Sequence, residues 1–309
     1  MDSRPKAASL YAICKKLLLF ILVYIFILAC HFPSLVEAAP IKMGMVYERF
    51  SRAIIKLKHD ERVHLIGSDE IKINVIPDGT AFLLSIKNDL FVVSARHVVE
   101  KTYDLHANVQ ARNNETGVTK YFLLKLPRHS WVYHPVQENE NTHYVDVAVM
   151  KINLLPGYEL FTFQHTPQWD DTVDFPSREH RSPTPVIICG FSGDKGFSLS
   201  EAMPLSRLGI LPAFKDNSRS FKIGNGKFVE NKAFFIDAEI AEGNSGSPVF
   251  QPDPPLLFRN DMRIIGLVIG TDESMGLAIV EPASRIGETI DLARKRSTKD
   301  HTFWFSLPR

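Results

Sequence analysis

The stretch Glu242-Gly243-Asn244-Ser245-Gly246-Ser247-Pro248-Val249 decides how the rest of the chain is read. It sets a serine between glycines in a tight turn. Glycine accepts positive φ and has no Cβ, so such a turn can bend sharply, expose the hydroxyl and let a second molecule approach the backbone. By itself the segment reads equally well as an ordinary hairpin turn. Two other stretches give it company. In Phe91-Val92-Val93-Ser94-Ala95-Arg96-His97-Val98-Val99 a strand runs straight into a small-residue turn carrying His97. In Tyr144-Val145-Asp146-Val147-Ala148-Val149-Met150-Lys151-Ile152 a single acid, Asp146, interrupts an apolar strand. A buried carboxylate is costly unless something hydrogen-bonds it, so Asp146 needs a partner. Each also has a plainer reading: a core histidine for His97, a solvent-facing strand cap for Asp146.

Together the three are specific. They follow the order His97, Asp146, Ser245, separated by 49 and 99 residues. That is the chain order of the chymotrypsin-type triad, and not of the subtilisin or α/β-hydrolase arrangements. The residue types also suit one chemistry. A serine hydroxyl is a poor nucleophile until a base takes its proton, and imidazole, with an unperturbed pKa of about 6.5, can do so near neutral pH. A buried carboxylate then fixes the imidazole tautomer and stabilises the imidazolium.

Working outward, the surroundings are strand-like. Ala53-Ile54-Ile55-Lys56-Leu57, Gly79-Thr80-Ala81-Phe82-Leu83-Leu84 and Leu90-Phe91-Val92-Val93-Ser94 are short runs rich in β-branched and aromatic residues, with turn residues between them. Many such runs predict a sandwich or barrel. Between Gln164 and Pro185 the composition turns to Pro, Asp and Thr, which predicts a connector. A second strand-rich block runs from Val186 to about Val280. Pro282 then predicts the start of a terminal helix whose Ile286, Ile290 and Ala293 share one face. The expected organisation is a leader over 1–39, a first barrel over 40–163, a connector over 164–185, and a second barrel with the helix over 186–309.

The chain has 309 residues, 45% hydrophobic and 23% charged, enough to bury a sizeable core. Its 36 basic and 35 acidic side chains leave a formal charge of +1, and no basic run interleaves with aromatics, which speaks against a nucleic-acid partner. The leader differs from everything after it. Arg4, Lys6, Lys15 and Lys16 precede an unbroken apolar run of 14 residues, Leu17 to Cys30, short for a membrane span and suited to an export signal. Three readings stay open: cleavage after Val36-Glu37-Ala38, lipidation of Cys30 at the lipobox-like Ile27-Leu28-Ala29-Cys30, or an uncleaved anchor. All three place the chain outside the cytoplasm, periplasmic or attached to a membrane through its N-terminus. Cys14 and Cys30 fall in the leader, so Cys189 stands alone in the rest, too few for an intramolecular disulfide there. Its setting, Val186-Ile187-Ile188-Cys189, predicts a buried structural thiol rather than a nucleophile.

These features resemble the trypsin-like serine proteases, and among them the disulfide-free bacterial ones such as the high-temperature-requirement periplasmic proteases. The resemblance covers roughly Ala53 to Asp291. Ser94-Ala95-Arg96-His97-Val98 is similar to the histidine box, Asp146-Val147-Ala148-Val149 to the aspartate box, and Gly243-Asn244-Ser245-Gly246 to the nucleophile box. Ile264 to Gly270 and Gly276 to Ile279 resemble the strands flanking the specificity pocket. The resemblance implies an all-β fold of two six-stranded antiparallel barrels with a short C-terminal helix. His97 and Asp146 would come from the first barrel and Ser245 from the second. It implies an endopeptidase in a bacterial cell envelope that works on peptides or proteins through an acyl-enzyme and needs no cofactor. It also implies an oxyanion hole made by the N–H groups of Gly243 and Ser245. Glu239, six residues before Ser245, would lie at the base of the primary pocket, with Gly270 and Gly276 leaving its walls open. An acid there would favour Lys or Arg before the scissile bond. In the alternative, Glu239 faces solvent and Ile240 with Val268 forms a small apolar pocket.

Three departures are visible. Ser247 replaces a second glycine after the nucleophile. Asn244 stands where the animal enzymes need an Asp to pair with a newly cut N-terminus, so that activation is not expected. A regulatory peptide-binding domain after the protease domain is not expected either. Of the rivals, an α/β-hydrolase would need Gly-x-Ser-x-Gly, where Ser247 stands in the last place, and a histidine after the serine, where only His301 stands. A catalytically silent barrel that binds without cutting is the alternative from another class. His129, His134 and His143 lack the close Cys or carboxylate pairing of a zinc site, so no metal is expected. Asn114-Glu115-Thr116 matches a glycosylation sequon but reads as a chance turn in a bacterial chain.

Overall fold

Runs of alternating or fully apolar β-branched residues become strands because a pleated chain sends successive side chains to opposite faces. The computed structural model describes residues 50–64, 71–87, 89–135, 145–153, 155–164, 184–192, 203–211, 221–222, 228–229, 233–252, 262–272, 275–296 and 303–306. All belong to one unit, Glu48–Asp253 with Asp261–Arg309. The leader with its processing sites, His143, His301 and residues 165–183 of the connector lie outside the described residues.

The first half contains β1 (Ile54–His64), β2 (Ile71–Ile86), β3 (Asp89–Ser94), β4 (Leu105–Asn113), β5 (Thr119–Leu126), β6 (Val132–Tyr133), β7 (Ala148–Ile152), β8 (Tyr158–Leu160) and β9 (Phe163–Gln164). They curl into one sheet in the order β5-β4-β1-β2-β3-β7-β6, with β8 on β4 and β9 parallel to β2. Burial follows the pleat. In β4, Leu105, Ala107, Val109 and Ala111 point into the core while Asn108 and Arg112 face water. Strand β2 changes character along its length, exposed or half-buried up to Asp78 and buried from Gly79 to Leu84. The buried stretch is the one that meets the second half. The Asn114-Glu115-Thr116 segment forms the exposed turn between β4 and β5, capped by Asn113 Oδ1, which accepts the N–H groups of Glu115 and Thr116.

The second half contains β10 (Thr184–Gly190), β11 (Leu205–Leu211), the small pair β12 (Phe221–Lys222) and β13 (Phe228–Val229), β14 (Phe234–Ile236), β15 (Pro248–Pro252), β16 (Met262–Asp272) and β17 (Leu277–Pro282). Six of them order as β11-β10-β15-β16-β17-β14. Ile210 and Asp237 exchange two backbone hydrogen bonds of 2.9 Å and so join the two edges into a closed barrel. The barrel joined at this bridge wraps a core that includes Val186, Ile188, Phe234, Ile236, Val249 and Val280. The double-barrel architecture implied by the resemblance is therefore present, with extra short strands on the first half.

The terminal helix is also present, as a helix over Ala283–Lys295 that starts after Pro282 and buries Ile286, Ile290 and Ala293. It packs against β7 and β16. The last described segment, β18 (Phe303–Ser306), returns to the first sheet and pairs with β5, so residues 186–309 serve both sheets. No helix among the described residues is long and apolar enough to cross a membrane.

Strand β10 carries two expectations. Cys189 is buried, and desolvation pushes its thiol up to about 11, with a Ser206 hydroxyl acting weakly the other way. At pH 8 only about one thiol in a thousand is then thiolate, so Cys189 should resist alkylation in the native protein and react once denatured. Peptide mapping of iodoacetamide adducts checks this. Next to it, a Cβ on Gly190 would fall 1.7 Å from Ser247 Oγ and 2.8 Å from Ser247 Cβ. Gly190→Ala should cost about 1–3 kcal/mol through overpacking and lower Tm by several degrees. Adding Ser247→Gly should return most of that stability. Thermal melts of the two single variants and the double variant read the coupling directly.

Candidate active site

Strand β3 ends at Ser94, and one extended residue, Ala95, leads into α1 (Arg96–Val99), a single helical turn. Val98 and Val99 are buried and anchor that turn, while His97 is left half-exposed on its outer side. The residue before β7 but one, Asp146, has no exposed surface. Both of its carboxylate oxygens go to His97: Oδ1 accepts the backbone N–H at 2.8 Å and Oδ2 accepts Nδ1–H at 2.5 Å. A carboxylate only accepts, so Nδ1 carries a proton, and in the neutral ring Nε2 is the acceptor. The backbone of Asp146 is fixed as well, its carbonyl by the Arg96 N–H at 3.3 Å and its N–H by Glu281 Oε1 at 3.1 Å. Nearby, His134 donates its N–H to Val147 O, and its Nε2 lies 2.6 Å from Glu288 Oε2, which Arg285 also reaches at 2.8 Å. The helix Ala283–Lys295, α2 from here on, is thereby pinned beside Asp146.

Ser245 lies in the turn between β14 and β15. Asn244 N–H bonds Ala241 O at 3.1 Å and Ser247 N–H bonds Asn244 O at 2.9 Å. Gly243 and Gly246 both stand at φ +88°, a region that a residue with a Cβ enters only with strain. The Gly246 N–H donates to Val268 O at 2.7 Å, and the Val268 N–H returns to Ser247 O at 2.9 Å, tying the turn to β16. The Gly243 and Ser245 N–H groups have no protein acceptor among the described residues.

The two halves meet through backbone. Thr80 N–H donates to Ser245 O at 3.0 Å. A Cβ on Gly79 would come within 2.8 Å of Val98 Cγ1 and 3.2 Å of Ser245 O, so the neighbour of His97 and the carbonyl of Ser245 flank the same glycine. A Cβ on Gly246 would fall 1.9 Å from Thr80 O. The structure thus brings His97, Asp146, Gly243 and Ser245 to one seam.

The pocket residues are placed less uniformly. Glu239 is exposed, and its carbonyl accepts Arg207 Nη1 at 2.8 Å. Ile240 packs on the second core, to which the fully buried Val268 belongs. Gly270 is half-buried on β16, and Gly276 is exposed in the turn before β17 at φ +67°. Cys30 lies outside the described residues. Two contributors escaped the sequence reading. Glu281 had a usable signal, since it is the one acid in Leu277-Ala278-Ile279-Val280-Glu281, the same pattern that singles out Asp146. Thr80 had none, because the partners of its hydroxyl are more than a hundred residues away. No group of His, Cys, Asp and Glu among the described residues could hold a metal ion.

The sequence matches the trypsin-like peptidase domain family over residues 79–254. Among curated proteins, none matches. The fold is similar to the solved HtrA-type protease AlgW with a decapeptide, at TM-score 0.50 and 15% identity, covering 81% of this chain and 67% of that one. The Rv3671c protease from M. tuberculosis in its active form aligns at TM-score 0.45 and 15% identity, covering 83% of this chain and 86% of that one. With the family matched over more than half of its 309 residues, this chain belongs to the trypsin-like peptidases and is a serine protease acting on peptide or protein substrates.

Proposed function

We propose that peptide-bond cleavage proceeds through an acyl-enzyme, with Ser245 as nucleophile, His97 as general base and Asp146 as the group that orients it. His97 Nε2 takes the Ser245 Oγ proton as Oγ attacks the substrate carbonyl carbon. The Gly243 and Ser245 N–H groups hold the oxyanion that forms. His97 then gives its proton to the leaving amine, the C–N bond breaks, and a water activated by the same base hydrolyses the ester. The observation that carries this reading is the double hydrogen bond from His97 to a carboxylate with no exposed surface, with Gly79 between Val98 and Ser245. A silent binding barrel would have no use for an imidazole held so that Nε2 is available.

For the residue before the scissile bond, the exposed position of Glu239 and the guanidinium of Arg207 at its carbonyl disfavour a basic side chain. The packing of Ile240 with the core that holds Val268 supports a small aliphatic preference instead. From the sequence of its leader, we place this activity outside the cytoplasm, in a cell envelope, with the N-terminus as the route to any membrane attachment.

Ser245→Ala should lower peptide hydrolysis by about four to six orders of magnitude and abolish labelling by a fluorophosphonate probe, while leaving the thermal melt unchanged. His97→Ala should be comparably impaired. Wild-type protein that fails to label would favour the silent barrel, and near-normal turnover by either variant would falsify the triad. Between matched peptides, Val before the cleaved bond should outpace Arg, and Glu239→Ala should leave that ratio unaltered. Faster cleavage of the Arg peptide, lost in Glu239→Ala, would put the acid back into the pocket.

A further inference from the structure

Thr80 lies on the first half, yet its side chain is spent on the second. Its hydroxyl is fully buried and sits between two backbone groups, the Phe191 N–H at 3.0 Å and the Gly243 carbonyl at 2.8 Å. The amide can only donate, so the one hydroxyl proton must go to Gly243 O. The peptide joining Gly243 to Asn244 is thereby held at both ends, its carbonyl by Thr80 and its N–H by Ala241 O at 3.1 Å. Two more backbone groups at this corner are met by Asn244, whose Nδ2 donates to Phe191 O at 3.0 Å while its Oδ1 accepts the Ala241 N–H at 2.8 Å.

Gly243 needs this restraint. The freedom that lets it stand at φ +88° also lets it leave that conformation, and its own N–H turns with it. We propose that Thr80 is a positioning residue for oxyanion stabilisation: its hydroxyl fixes the Gly243–Asn244 peptide, the link between the two peptides that carry the Gly243 and Ser245 N–H groups, and so limits how far either can turn. This inference rests on the triad and oxyanion-hole reading above. Thr80 touches no reacting atom, so its loss should act on transition-state stabilisation more than on substrate binding.

The test uses the full chain with Thr80→Val, which keeps volume and β-branching and removes the hydroxyl, and Thr80→Ser, which restores it. Direct removal of one oxyanion donor costs about 10²–10³ in kcat, so the indirect loss in Thr80→Val should be about tenfold to hundredfold, with KM within about twofold. Affinity for a peptidyl boronate should fall in parallel with kcat. Thr80→Ser should recover most of both. Should Thr80→Val fail to fold, Thr80→Cys takes its place, its thiol being a weak donor, and kcat should fall below that of Thr80→Ser. A folded Thr80→Val or Thr80→Cys with wild-type kcat overturns the inference, as does a loss that Thr80→Ser does not repair. Ser245→Ala separates the two levels. If it is inactive while Thr80→Val turns over normally, only the role of Thr80 fails; if it stays active, the triad reading itself fails.

Discussion

A carboxylate without any exposed surface must find its hydrogen bonds inside the protein, and the requirement of Asp146 organises much of the molecule. Two donors come from one residue, the backbone and ring N–H groups of His97. That is possible only because β3 delivers the chain into the single turn of α1 directly opposite the entry to β7, the strand that pairs with it. Satisfying the acid and aiming the imidazole are therefore the same event. The backbone of Asp146 extends the demand to the far end of the chain, where Glu281 accepts its N–H. Glu281 sits just ahead of α2, and His134, Arg285 and Glu288 hold that helix against the segment after Asp146. The terminal helix is in this sense a wall of the site rather than an appendage.

The second constraint is closeness. Two curved sheets that met through side chains would stand a side chain's width apart, too far for Thr80 N–H to reach Ser245 O at 3.0 Å. Glycine at two places removes that obstacle. A Cβ at Gly246 would fall 1.9 Å from the Thr80 carbonyl oxygen, and one at Gly79 would come within 3.2 Å of Ser245 O, each of them across the seam. Interiors are packed to crystal-like density, so such an overlap is relieved only by moving the sheets apart. The seam thus brings backbone groups of the first half within hydrogen-bond reach of the nucleophile turn.

The sequence discloses the features with local causes. Strand runs, the face made by Ile286, Ile290 and Ala293, the buried thiol of Cys189 and the boxes around His97, Asp146 and Ser245 all follow from residue type and short-range period. What it hides is long-range. Nothing in Phe303–Ser306 announces a pairing with β5, and nothing near Thr80 announces Gly243, because both partners are chosen by how the sheets curl. Glu281 falls between these cases, since the signal that exposes Asp146 exposes it too, though not which backbone group it would serve. The place of Glu239 depends on how β11 and the turn after β14 face each other, which its neighbours in sequence do not encode.

Asn244 shows what a one-residue departure from the animal enzymes means physically. An Asp at a site 1% exposed would carry a charge that requires a cation, which in those enzymes a newly cut N-terminus provides. An amide carries a donor and an acceptor in one group, and here both are used, on Phe191 O and the Ala241 N–H. Together with the Thr80 hydroxyl, the Phe191 N–H and carbonyl, the Gly243 carbonyl and the Ala241 N–H are each met by a neutral partner from within the fold. Such a turn has no ion pair to make on cleavage of the chain. Its geometry rests on contacts among β2, the end of β10 and the nucleophile turn, so the site is shaped by the meeting of the two halves.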